Sequence, residues 1–149
     1  MILVSACLSG VECRYNGTAF PCVGLAELVS SGKAIAVCPE VLGGLEVPRL
    51  PAEIVEFRVR TSQGEDVTDA YQAGAAAALR IALENGCKSA VLKARSPSCG
   101  SGRIYDGSFS GRLIDGDGLL AGLLKQAGIT VYTEEEYAVR IEKSGGEFE

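Results

Sequence analysis

Four short apolar runs constrain the fold of this chain more than any other feature. They are Ile2–Ser5, Ala34–Val37, Ser89–Lys93 and Ile129–Tyr132. Each is too short for a helix and reads as a buried strand. Helical stretches fall between and after them. Leu25–Val29 reads as a short helix closed by Ser30-Ser31-Gly32. The clearest helix runs from about Asp69 to Glu84, with Thr68 as its N-cap and Asn85-Gly86 as its stop. Its apolar face comprises Tyr71, Ala75, Ala78, Leu79, Ala82 and Leu83, and its many alanines predict close approach to a sheet. Leu119–Ala127 is a further helix, stopped by Gly128. Thr133 caps a last one, with Glu134, Glu135 and Glu136 in the first turn, where carboxylates oppose the positive end of the helix dipole.

Strands alternating with helices predict an α/β sandwich, with a mostly parallel central sheet flanked by helices. In such folds ligands bind beyond the carboxyl ends of the strands. Three segments interrupt the pattern. Pro39–Pro51 holds three prolines and the pair Gly43-Gly44, so it reads as a loop. Ile54–Arg60 alternates weakly, as an edge strand would. Arg95–Gly118 is rich in Gly and Ser and reads as a long loop or a small hairpin. A length of 149 residues suits one domain, placed at residues 1–143 with a frayed tail at 144–149.

Composition matters here for its extremes. There are six cysteines and no histidine. The absence of His excludes Ser-His-Asp and Cys-His machinery, imidazole metal ligands and imidazole bases. The net charge of −5 provides no broad basic footprint for nucleic acid. No apolar stretch reaches the roughly 18 residues that span a membrane. The N-terminal run lacks the basic flank of a signal peptide. The expectation is a cytoplasmic protein with reduced thiols and a small-molecule partner, without nucleic acid or membrane. Oligomeric state is not legible.

Cys7, Cys38 and Cys99 follow three of the proposed strands. On a parallel sheet, all three thiols would share one rim. Ordinary buried thiols are one reading of them. No C-x-x-C pair occurs, as a zinc site or a catalytic dithiol prefers. Three thiolates also suit an iron–sulfur cluster with one open iron, although four Cys ligands are usual. Cys22 and Cys87 read as structural, and the role of Cys13 stays open. Asp115-Gly116-Asp117-Gly118 lacks the later ligands of a calcium loop.

Longer motifs surround these cysteines. Val4-Ser5-Ala6-Cys7-Leu8 with Cys13-Arg14-Tyr15-Asn16-Gly17 forms a first block. Val37-Cys38-Pro39-Glu40-Val41-Leu42-Gly43-Gly44-Leu45 with Pro48-Arg49 and Pro51-Ala52-Glu53 forms a second. Ser96-Pro97-Ser98-Cys99-Gly100-Ser101-Gly102 with Ile104-Tyr105-Asp106-Gly107 and Phe109-Ser110-Gly111 forms a third. In this order, over roughly Met1 to Glu135, they resemble the family catalogued as domain of unknown function 523, which includes the thiouracil desulfidases. Ser9 departs from the pattern, which commonly has Leu there.

The resemblance implies a 4Fe–4S cluster held by Cys7, Cys38 and Cys99, with the fourth iron open. It also implies Glu40 as acid/base and Ser96 as active-site serine. The implied reaction is non-redox desulfuration of a thiolated pyrimidine base or nucleoside: thiouracil plus water gives uracil plus sulfide. Desulfuration of thiolated tRNA is a second reading, and a non-catalytic iron–sulfur or redox-sensing protein a third. At single residues, Glu40 could instead cap a helix or pair with Arg49, Ser96 could merely shape a turn, and Cys13-Arg14-Tyr15 could either anchor the loop or bring Arg14 and Tyr15 to line a pocket.

Overall fold

The four apolar runs form one sheet in the computed structural model of the chain, which describes residues 1–144. In chain order the elements begin with β1 (Ile2–Ser5), a 3-10 turn at Ala6–Ser9, α1 (Leu25–Ser30), β2 (Ala34–Val37) and α2 (Pro39–Leu42). Then come β3 (Ala52–Val55), β4 (Arg58–Thr61), α3 (Thr68–Glu84), β5 (Ser89–Leu92), β6 (Arg103–Tyr105) and β7 (Leu113–Asp115). The chain continues with α4 (Leu119–Gln126), β8 (Thr130–Thr133) and α5 (Glu134–Ser144). The central sheet has the order β2-β1-β5-β8, and every pairing in it is parallel.

Side chains alternate between the two faces of the sheet, as a strand period of two requires. Leu3, Val37, Ala90 and Leu92 pack with Ala75, Ala78 and Ala82 of α3 and with Leu120 and Leu124 of α4. Ile2, Val4, Ala34 and Val91 pack on the other face with Leu25 of α1 and Tyr137 of α5. Helices cover both faces, so β1 and β5 are buried throughout and carry no wet side. The alanines of α3 bring it close to the sheet, as its sequence predicts. Leu83 does not share that face: it is 56% exposed.

Some boundaries differ from the sequence reading, for local reasons. Thr68 is the first residue of α3 and not its cap. Asp66 Oδ1 accepts the Thr68 N–H at 2.9 Å, and the Thr68 hydroxyl accepts the Val59 N–H at 2.8 Å. Thr133 does cap α5. Its Oγ1 accepts the Glu136 N–H while Glu136 Oε1 accepts the Thr133 N–H, a reciprocal capping box. Ile54–Arg60 is not one edge strand of the main sheet. β3 and β4 form a separate antiparallel hairpin turned at Glu56 and Phe57. The Pro39–Pro51 segment is not all loop, because Pro39 begins the short helix α2, where its fixed φ suits the first turn. Arg95–Gly118 contains the small hairpin β6–β7. Of the expected tail, Ser144 ends α5, and 145–149 lie outside the described residues. Among the described residues, no helix is long and apolar enough to cross a membrane.

Candidate active site

From β1 the chain crosses to β2 on one side of the sheet, and from β5 it crosses to β8 on the other. The carboxyl ends of β1 and β5 therefore flank a topological switch point, where a crevice opens. A cavity of about 390 Å³ lies there, lined by Cys7, Cys13, Cys38 and Cys99 together with Glu40 and Ser96. The structure thus brings all five sequence-nominated side chains to one space. Cys13, Arg14 and Tyr15 join them. Cys22 and Cys87 lie elsewhere, packed in the two cores on opposite faces of the sheet.

Each thiol is placed by the strand before it. Cys7 sits in the 3-10 turn after β1, closed by Gly10 at φ 103°, a left-handed conformation that favours glycine. Cys38 follows β2 directly and is the N-cap residue of α2. Cys99 follows β5 across a turn in which Ser96 Oγ accepts the Cys99 N–H at 2.8 Å. The N-terminus of α4 grips that turn. Leu119 N–H donates to Pro97 O at 2.8 Å and Leu120 N–H to Ser98 O at 2.9 Å. A Cβ on Gly118 would meet the Ser98 carbonyl, so only glycine permits this approach. Ser5, the last residue of β1, ties the two strand ends together. Its hydroxyl donates to Cys99 Sγ at 3.2 Å and accepts the Lys93 N–H at 3.0 Å.

Glu40 stands on α2 between two donors. Arg49 Nε reaches its Oε1 at 2.9 Å, and Arg49 Nη2 also donates to the Cys13 carbonyl. Ser98 Oγ donates to Oε2 at 2.8 Å. Burial on α3, with the same carboxylate close by, holds the Tyr71 phenol above its ordinary value. Glu40 therefore does pair with Arg49. Ser96 does shape the Cys99 turn, while still lining the cavity.

Burial dominates at Cys7 and Cys99. It pushes Cys7 up to about 11, helped by the nearby Cys38, and Cys99 up to about 12. The neighbouring Cys13 and Cys38 thiols act on each other, so that Cys38 is held below its ordinary value and Cys13 above. Lys93 opposes the rise at Cys7. Its ammonium pairs with buried Glu134 at 2.8 Å and lies 4.5 Å from the Phe20 ring centroid. On the far wall Glu53 Oε1 accepts the N–H groups of Gly107 and Phe109, at 2.9 and 3.1 Å.

The donor set is soft sulfur without imidazole, which suits iron–sulfur ligation. Among the described residues, no three His, Cys, Asp or Glu side chains gather closely enough to hold a single metal ion. Thiols spread around a cavity suit a broader multi-iron group. Sequence reasoning missed Ser98, Tyr71, Lys93 and Glu53. The helical periodicity places Tyr71 on an apolar face, though a buried phenol ordinarily needs a partner for its hydroxyl. Nothing in Ser96-Pro97-Ser98 marks which hydroxyl reaches Glu40.

Fold and cavity together define a doubly wound parallel α/β protein with a thiol-lined cleft at its switch point. A family profile described as 2-thiouracil desulfurase matches residues 2–136. The chain belongs to the 2-thiouracil desulfurase family of enzymes. It is 49% identical to the uncharacterized protein YbbK of Bacillus subtilis (strain 168), over 91% of this chain and 97% of that one. The fold also matches a solved structure, the [4Fe-4S]-dependent thiouracil desulfidase TudS. The TM-score is 0.86 and the identity 44%, over 95% of this chain and 97% of that one.

Proposed function

We propose that this protein removes sulfur from a thiolated pyrimidine base or nucleoside by hydrolysis, without net redox change. A carbon–sulfur double bond plus water gives a carbon–oxygen double bond plus hydrogen sulfide, so thiouracil yields uracil. The observation that carries this reading is the meeting of Cys7, Cys38 and Cys99 with Glu40 in one cavity, from the ends of three adjacent parallel strands.

Cys7, Cys38 and Cys99 would hold a 4Fe–4S cluster, and Cys13 stays a neighbour of Cys38. When bound, the cluster supplies one iron without a protein ligand, a soft Lewis acid suited to a thiocarbonyl sulfur. The chain's own residues manage water and protons. Glu40 takes a proton from the attacking water and is held for this by Arg49 and Ser98. Ser96 lies beside Ser98, with 3.5 Å between the hydroxyl oxygens, and hands the proton on toward the leaving sulfur. The wall formed by Pro51, Tyr105 and Phe109 excludes bulk water and offers flat apolar surface to a planar ring.

Anaerobic reconstitution followed by a 2-thiouracil assay tests this. Cys38→Ala is expected to lose both iron and sulfide release. Glu40→Ala is expected to keep iron and lose about 100-fold or more in turnover. Full turnover in the Glu40 variant would remove that residue from the chemistry. A reconstituted protein that releases no sulfide from any thiolated base, but titrates reversibly with a reductant, would favour redox sensing instead. Release of sulfide only from thiolated tRNA would move the substrate to RNA.

A further inference from the structure

Glu53 lines the cavity, yet the reaction above gives it no task. It stands on β3 and is 8% exposed. One oxygen, Oε1, is taken by the amides of Gly107 and Phe109. No donor among the described residues reaches Oε2. No buried polar side-chain atom among them lacks a partner, so Oε2 is not sealed away. The space that Glu53 lines is the cavity itself. A carboxylate in this state accepts hydrogen bonds and cannot donate them. A ligand filling the cavity must offer it an N–H or O–H, or bear the desolvation of that oxygen.

The geometry points to Glu53 as the residue that reads a ring N–H of the pyrimidine; this rests on the thiolated pyrimidine being the substrate. In 2-thiouracil the two nitrogens beside the thiocarbonyl carbon both carry hydrogen only in the neutral thione form. The thiol tautomer and the anion have each lost one. An acceptor fixed at one of these nitrogens rejects the thiol tautomer and the anion that have lost its hydrogen. It also rejects a base alkylated at the nitrogen it reads. If that nitrogen is the one that bears the sugar in nucleosides, the enzyme is confined to free bases.

Binding of uracil, 1-methyluracil and 3-methyluracil to the cluster-reconstituted protein tests this by calorimetry, independently of turnover. Methylating one of the two nitrogens is expected to weaken binding to the wild type about 10–100-fold. Glu53→Gln keeps the oxygen that accepts the Gly107 and Phe109 amides and replaces the free acceptor with NH2. It is expected to bind uracil about 10–100-fold more weakly and to lose most of the discrimination against the methylated base. Its thermal midpoint and visible spectrum are expected to match the wild type.

A methyl group that merely clashes would weaken binding equally in both proteins, and that result overturns the inference. So does equal binding of all three bases by the wild type, or the absence of uracil binding. Those two outcomes need only the wild type, so the inference stays open to refutation even if the variant fails to fold. Turnover of 2-thiouracil is measured in parallel. Discrimination without turnover sinks the proposed reaction and spares Glu53, whereas turnover without discrimination does the reverse.

Discussion

Glu40 accepts from Arg49 on one oxygen and from Ser98 on the other, so its carboxylate is fixed before any substrate arrives. Ser98 is 1% exposed, and its hydroxyl spans the gap between the cysteine turn and α2. Ser98→Ala removes that link and leaves the Cys99 backbone untouched. The expected outcome is a fall in kcat of about 10–100-fold with iron content unchanged, the lower end of acid–base effects because Glu40 itself remains. Ser96→Ala should behave differently. It strips the Cys99 N–H of its acceptor, so iron retention is expected to fall along with turnover. Iron analysis beside steady-state kinetics separates the two serines. The family resemblance points to Ser96, while nothing in the sequence marks Ser98, whose nearness to Glu40 arises only when α2 and the Cys99 turn meet in space.

At the scale of elements, α2 decides where Glu40 and Cys38 sit. It lies against α3 through two glycines. A Cβ on Gly74 would overlap the Pro39 carbonyl, and one on Gly43 would overlap that of Ala70. Gly74 is mid-helix, where Ala would ordinarily stabilise by about 1 kcal/mol. The collision with backbone, which cannot rotate aside, costs more, about 1–3 kcal/mol for overpacking. Gly74→Ala is therefore expected to lower the thermal midpoint and to cut turnover by shifting α2, which calorimetry and kinetics would record. The long, patterned helix α3 was legible because its periodicity extends over several turns. The four residues of α2 were hidden among prolines. The β3–β4 hairpin was hidden for another reason. Its turn holds Glu56 at φ 50° and Phe57 at φ 67°, positions where Asn or Gly normally signals the turn.

The whole molecule sets the protonation of its thiols. Cys7 and Cys99 rise from an ordinary 9.0 to about 11 and about 12 in the folded chain, mainly through burial. A thiol raised in this way binds its proton more tightly folded than unfolded. Its contribution to stability is complete below pH 9 and is lost as pH climbs toward 11 and 12. The thermal midpoint of the cluster-free protein is expected to fall across that window, and Cys7→Ser is expected to flatten the decline. Scanning calorimetry at stepped pH measures both. The sheet was readable as parallel and buried from its four apolar runs. Its order β2-β1-β5-β8 was not, because no local signal tells β5 to pair with β1. That pairing bears on how the protein is made. The ribosome releases Cys7 and Cys38 well before Cys99, and Cys99 meets them only where β5 lies beside β1. A nascent or stalled chain can thus gather Cys7, Cys13 and Cys38 but not Cys99, and on the proposed ligand set cofactor loading waits for β5.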